Sequence, residues 1–160
     1  MSSDTKDLRS LLVHEAREIA RRDGSRTVEA EHVLLALSRT ETAAARMLAE
    51  AGLTEDTIRA ALDREWEQGL AVAGIAIRIG VLPVATPDPD RSPKVGESAI
   101  QLLRRALDAP PKRSVGRITP MRLLAGILDS ERGRVARALR ASGIDRRALH
   151  AQVLEVIAAG

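Results

Sequence analysis

The sequence predicts an all-α fold, and three observations carry that reading. The chain is built on alanine, leucine and arginine, all strong helix formers. It holds one aromatic residue, Trp66, and no Phe or Tyr, whereas strands favour aromatic and β-branched side chains. It also repeats itself: Glu31-His32-Val33-Leu34-Leu35-Ala36-Leu37 lies 90 residues ahead of Met121-Arg122-Leu123-Leu124-Ala125-Gly126-Ile127. At the same offset Leu12, Val13 and Ala16 fall on Leu102, Leu103 and Ala106. One residue of slack moves the offset to 91, and Ala45-Arg46-Met47-Leu48 then falls on Ala136-Arg137-Ala138-Leu139. The expectation is a single domain over residues 1–160, with unit one at 4–70, a linker at 71–95 and unit two at 96–158.

Each unit reads as four helices, making eight in all. In the first helix Leu8, Leu11, Leu12, Ala16, Ile19 and Ala20 share one face at i, i+3, i+4 spacing. Its counterpart carries Ala99, Leu102, Leu103, Ala106 and Leu107, and Pro110-Pro111 ends it. The second helix of unit two opens at Thr119-Pro120, a hydroxyl acceptor followed by a proline where no N–H is missed. The third helices carry Ala44, Met47, Leu48, Ala51 and Val135, Ala138, Leu139, Ser142, and are stopped by Gly52 and Gly143. Thr54 and Asp145 cap the fourth helices, whose apolar faces are Ile58, Ala61, Leu62, Trp66 and Leu149, Val153, Val156, Ile157. Equivalent apolar positions of the two units, Leu34, Leu37, Leu48, Leu124, Ile127 and Leu139, are expected in the core. Between the units, Gly74-Ile75-Ala76-Ile77-Arg78-Ile79-Gly80-Val81 alternates in part. It is read as an extended apolar segment lying on the helical body, with a hairpin or a helix extension as alternatives. Pro83, Pro87, Pro89 and Pro93 make residues 84–93 a loop, so the units are joined by a Pro-rich connection.

Composition narrows the function. At 44% hydrophobic and 29% charged, the chain is an ordinary globular sequence, long enough to bury a core. With no cysteine there is no disulfide, thiolate metal site or cysteine nucleophile. No apolar run approaches the roughly 20 residues of a membrane span, and the polar start lacks a secretory signal, so the expected location is the cytoplasm. A Gly-x-x-x-x-Gly-Lys-Ser/Thr loop is absent, and Lys6, Lys94 and Lys112 stand in no such context. With no Gly-x-Ser-x-Gly elbow and no His-x-x-x-His pair, neither an enzyme nor a metal or cofactor site is expected. One aromatic residue gives no stacking platform for single-stranded nucleic acid.

Two tandem four-helix units, each with a helix like Glu-His-Val-Leu-Leu-Ala-Leu and a later Ala-Gly-Leu or Ser-Gly-Ile stop, resemble the amino-terminal repeat domain of Clp/Hsp100 unfoldases. The likeness is to the ClpC type, spans nearly the whole chain, and is to a free-standing form without ATPase modules. It implies a module that docks adaptors, client proteins or peptides of a Clp unfoldase, with phosphoarginine and cyclic peptides among its ligands. For phosphoarginine, it implies a glutamate near the start of the second helix of each unit. Glu31 stands there in unit one, but Met121 takes the place in unit two, with Arg122 where unit one has His32. A carboxylate suits a guanidinium because the donor fork meets two oxygens. The expected ligand site is therefore single: Glu31 with His32, and Thr27 with first-turn N–H groups donating to the phosphate. Cyclic-peptide binding in this family leans on phenylalanine, which the chain lacks.

Charge offers a second surface. Residues 1–80 carry a net −3 and residues 81–160 a net +6, and 22 of the 25 basic residues are arginine. Arg132, Arg134, Arg137 and Arg140, with Arg146 and Arg147, crowd the third and fourth helices of unit two. They are a solvated face, a face for an acidic protein partner, or a DNA-phosphate face; the last makes a DNA-binding regulator the alternative function.

Overall fold

A computed structural model describes residues 2–110 and 118–160, leaving out the side chains of residues 2–9, Leu11 and Ile79. Among the described residues there are eight α-helices: α1 (Ser2–Arg22), α2 (Ala30–Ser38), α3 (Ala43–Glu50), α4 (Glu55–Val72), α5 (Glu97–Asp108), α6 (Pro120–Asp129), α7 (Arg134–Ala141) and α8 (Arg146–Ala159). Two residues of unit one, β1 (Thr27–Val28), and the last two of the linker, β2 (Lys94–Val95), form a parallel pair that the sequence did not announce. It is too short to be stable alone, and the helices on either side hold it.

The punctuation residues act as local chemistry requires. Thr54 and Thr119 accept from the amides of Thr57 and Arg122, and Asp145 from that of Ala148 at 3.0 Å. Gly52 and Gly143 follow α3 and α7 with φ of 81° and 73°, the left-handed turn that side chains resist. The α5 helix stops at Asp108, just before Pro110. Pro111 lies outside the described residues, as do the side chains of Leu8 and Leu11. At the start of α4, Arg39 grips both oxygens of Glu55 at 2.6 and 2.8 Å. Those hydrogen bonds, helped by Arg59, hold the Glu55 carboxyl down at about 2.

The second helix of each unit is the centre of the body. Leu34, Leu35, Leu37 and Leu124, Leu128 are essentially inaccessible, and Leu48, Ile127 and Leu139 join them in one core. Across the unit boundary α2 meets α6, α3 packs on α6, and α7 packs on α2, which gives the units a rough two-fold relation. The fourth helices break that symmetry: α4 lies against α7 of the other unit, whereas α8 lies against α6 of its own. Leu107 and Val156, expected on apolar faces, are instead 40% and 44% exposed at the outer edges of theirs. Trp66 sits at the rim of α4, 37% exposed.

The linker leaves α4 at Val72, makes a short 3₁₀ turn at Ile79–Val81, and reaches β2 without further regular structure. It is extended, and its apolar residues lie on the body only in part: Ile75 and Ile77 share a shallow cleft with Arg64 and Ala71 of α4 and are 43% and 38% exposed, while Val81 is 80% exposed.

Close packing of α5 on α6 depends on Gly126, which stands where unit one has Ala36. A β-carbon there would lie 2.5 Å from the Leu102 carbonyl oxygen and 2.9 Å from the Ala106 amide nitrogen. These are backbone atoms, so they cannot rotate away. Gly126→Ala should therefore destabilise the fold by about 1–3 kcal/mol in urea denaturation, despite alanine's better helix propensity. A gain in stability would show that the two helices have slack at this crossing.

Candidate functional site: the cleft between the units

The N-termini of α2 and α5 meet where the strand pair brings the units together, and each helix caps the other. Gly96, the residue before α5, has no side chain to offer, and Glu29 supplies the missing acceptor: its carboxylate accepts from the Ser98 amide at 3.1 Å and from the Ser98 hydroxyl. In return the Ser98 hydroxyl accepts from the Ala30 amide at 2.9 Å, the first N–H of α2. Any β-carbon at Gly96 would collide with the Glu29 carboxylate. Burial pushes the Glu29 carboxyl up, but hydrogen bonds from Ser98 and Thr27 prevail and leave it below its ordinary range.

Within α2, His32 completes a capping box. Its Nδ1 accepts from the Glu29 amide at 2.9 Å, while the Glu29 side chain accepts from the His32 amide. His32 is 4% exposed, and its Nε2 lies 3.9 Å from Asp23. Burial lowers its pKa, and Arg134 adds to that effect; Glu31, Asp23 and Glu29 oppose it.

Glu31 and Glu65 are buried carboxylates of unit one, and both find their partners in α7 of unit two. Arg134 donates to Glu31 at 3.1 Å, and its Nε lies 3.4 Å from Glu65. Arg137 donates to Glu65 at 2.7 Å. Two clefts open beside this cluster. The larger, about 600 Å³, runs between α2, α5 and the α6–α7 turn; Leu102, Ile127 and Val135 line it with Glu31, Arg132 and Arg134. The smaller, about 320 Å³, is polar and lies on the other side of Glu31, bounded by Asp23, His32, Arg59, Asp63 and Arg134. Burial raises the Asp63 carboxyl above its usual range.

The residues expected at the ligand site are thus only partly assembled. Glu31 is on the wall of both clefts, and His32 on that of the smaller. Thr27 lines neither, and its backbone amide donates to the Ser25 hydroxyl at 3.3 Å. The Ala30 and His32 amides, expected to meet a phosphate, are taken by Ser98 and Glu29. The four arginines of the expected partner face divide. Arg134 and Arg137 pair with carboxylates across the unit boundary, while Arg132 and Arg140 have no carboxylate partner among the described residues; Arg132, Arg137 and Arg140 line an outer cleft of about 710 Å³ with Arg146 and Arg147. Arg122 is not a ligand group in unit two. It is buried and donates to the Ala109 carbonyl at 2.8 Å and the Ala106 carbonyl at 3.3 Å, satisfying the end of α5. Two partners were missed from sequence: Glu65, which sat unremarked on α4, and Ser98, one serine in a polar turn. Among the described residues no helix is long and apolar enough to cross a membrane.

Comparison with known proteins agrees with this geometry. Residues 5–83 match the family described as the Clp repeat (R) N-terminal domain. The fold is that of the N-terminal domain of the caseinolytic protease associated chaperone ClpD from Arabidopsis thaliana: TM-score 0.62, 17% identity, covering 94% of this chain and 91% of that one. A chain from preliminary structural investigations of a malarial protein secretion system is similar too, with TM-score 0.58, 18% identity, and 89% and 86% covered. No curated protein matches in sequence. The chain therefore resembles the Clp N-terminal domain, by sequence in unit one and by fold across both units.

The histidine of the capping box makes the fold sensitive to acid. Because burial depresses the His32 pKa below its ordinary 6.5, the folded state resists the second proton. Stability is complete above pH 6.5 and is lost as pH falls below it, by up to about 1.4 kcal/mol per pH unit until the folded-state pKa is reached. Protonating Nδ1 would also break its bond from the Glu29 amide. His32→Gln keeps an acceptor for the box without the titration. Urea denaturation at pH 7.5 and 5.5 should show the wild type losing more stability than His32→Gln. Equal losses would place the acid sensitivity elsewhere.

Proposed function

We propose that the chain is a non-catalytic binding module of the Clp chaperone and protease system, acting in the cytoplasm, that docks client proteins, adaptors or peptides in the cleft between its units. Clp N-terminal domains are interaction domains for proteins and adaptors of Clp chaperones, and both the family match and the fold place this chain beside them. The observation that carries the finer reading is Glu31. It is a carboxylate set at the first turn of α2, on the wall of a cleft lined by Leu102, Ile127 and Val135 and also by Arg132, a cation with no carboxylate partner among the described residues. A guanidinium-bearing client group, phosphoarginine included, would set its fork on Glu31 and its phosphate toward Arg132. Unit two offers no carboxylate at the position equivalent to Glu31, since Met121 packs against the core and Arg122 is committed to α5. One site per chain follows. Cyclic peptides would have only the aliphatic floor to hold them.

The ion pairs of the basic half favour the protein-docking reading over a DNA face. Arg134, Arg137, Arg146 and Arg147 are already paired with Glu31, Glu65 and Glu131, which leaves few of the α7–α8 arginines for phosphate contacts.

Fluorescence anisotropy with a phosphoarginine-bearing peptide tests the reading. Binding should saturate at one peptide per chain, and Glu31→Ala should weaken it about 10- to 100-fold, the loss of a charged hydrogen bond worth about 1.5–3 kcal/mol. Two equal sites, or binding indifferent to Glu31→Ala, would contradict it.

A further inference from the structure

We infer that Arg134 is an internal competitor for the Glu31 carboxylate, so that a guanidinium-bearing ligand enters only by displacing it. This rests on the reading of Glu31 as the guanidinium acceptor. Four observations support the competition. First, Arg134 already makes the contact such a ligand would make, from 103 residues away in sequence. Second, it makes that contact poorly. Arg39 grips Glu55 with two hydrogen bonds, whereas Arg134 gives Glu31 one at 3.1 Å, and its buried Nε donates no hydrogen bond although it lies within ion-pair range of Glu65. Third, Arg134 has a second seat. Glu65 stands 3.4 Å from its Nε, so a displaced side chain keeps a carboxylate partner. Fourth, among the described residues only Glu31 and Arg134 line both the 600 Å³ and the 320 Å³ clefts. Together they form the partition between them, and withdrawing the arginine toward Glu65 opens the acidic pocket of Asp23, Glu31 and Asp63 to the apolar cleft.

An internal ligand lowers apparent affinity by the fraction of molecules in which it has vacated the site. Two variants that leave Glu31 in place should therefore act in opposite directions. Arg134→Gln removes the competitor and should tighten binding of free phosphoarginine roughly tenfold. Glu65→Gln removes the second seat, confines Arg134 to Glu31, and should weaken binding by a few-fold. A variant that merely loosens the fold would weaken binding in both cases, so the opposed signs separate competition from damage. Calorimetric titration of the whole chain with free phosphoarginine reads both, with circular dichroism melts confirming that each variant is folded. Tighter binding by Arg134→Gln together with weaker binding by Glu65→Gln supports the inference. Equal affinity in wild type and Arg134→Gln overturns the competition while leaving the Glu31 site standing. Weaker binding by Arg134→Gln overturns it as well, by making Arg134 part of the ligand's own contacts. Tighter or unchanged binding by Glu65→Gln removes the second seat from the account and overturns the displacement route. No binding by wild type or Arg134→Gln overturns both the competition and the guanidinium reading of Glu31.

Discussion

Buried carboxylates need partners, and the two that unit one buries, Glu31 and Glu65, find theirs in unit two. An isolated charge in a packed interior costs several kcal/mol, so neither unit is chemically complete without the other. Arg134 and Arg137 of α7 supply the cations. That requirement fixes how α4 lies on α7, and with it the one large departure from two-fold symmetry in the fold. Burial of leucines explains why the units associate. The carboxylates explain why they associate in this orientation, since apolar surfaces alone specify register weakly.

The two units then use the same helix position for different ends. At the third residue of the second helix, unit one places His32 and unit two places Arg122. Both are buried and both satisfy backbone at a helix end, His32 the start of its own helix and Arg122 the end of the helix before it. One position earlier, unit one keeps a carboxylate at the cleft and unit two has Met121, packed against the core. A duplicated scaffold has thus kept its packing in both copies and its polar wall in one. The reciprocal caps of Glu29 and Ser98 hold the start of α2 in place, so Glu31 is presented by a rigid turn and not by a loop.

Most of the fold was legible because its signals are local. Thr54, Thr119-Pro120, Asp145, Gly52 and Gly143 act within one turn of where they stand, and the internal repeat doubled the evidence for each apolar face. Leu107 and Val156 were misjudged because periodicity locates a face but not its edge. The linker's apolar residues were expected to lie on the body, and Ile75 and Ile77 do so in part while Val81 does not, a distinction that alternation in sequence does not draw. The site was legible only in part. Glu31 was singled out through the family resemblance, but the arginine against it is 103 residues away, and no spacing rule links the two. The α7 arginines read as a surface cluster from sequence. Only the crossing of α4 and α7 reveals that two of them, Arg134 and Arg137, reach carboxylates of the other unit. Thr27 was expected at a phosphate, but it lies on the short strand before α2 and lines neither cleft.

The claim that cross-unit ion pairs set the arrangement of the units is tested most directly by a double-mutant cycle on the shortest of them, the 2.7 Å contact of Arg137 with Glu65. Urea denaturation of wild type, Glu65→Gln, Arg137→Gln and the double variant gives the coupling free of each residue's other contacts. Because the carboxylate is buried, the coupling should be about 1 kcal/mol or more, above the range of exposed surface pairs. A coupling within about 0.3 kcal/mol of zero would mean that apolar packing alone orients the units, and that the carboxylates are passengers.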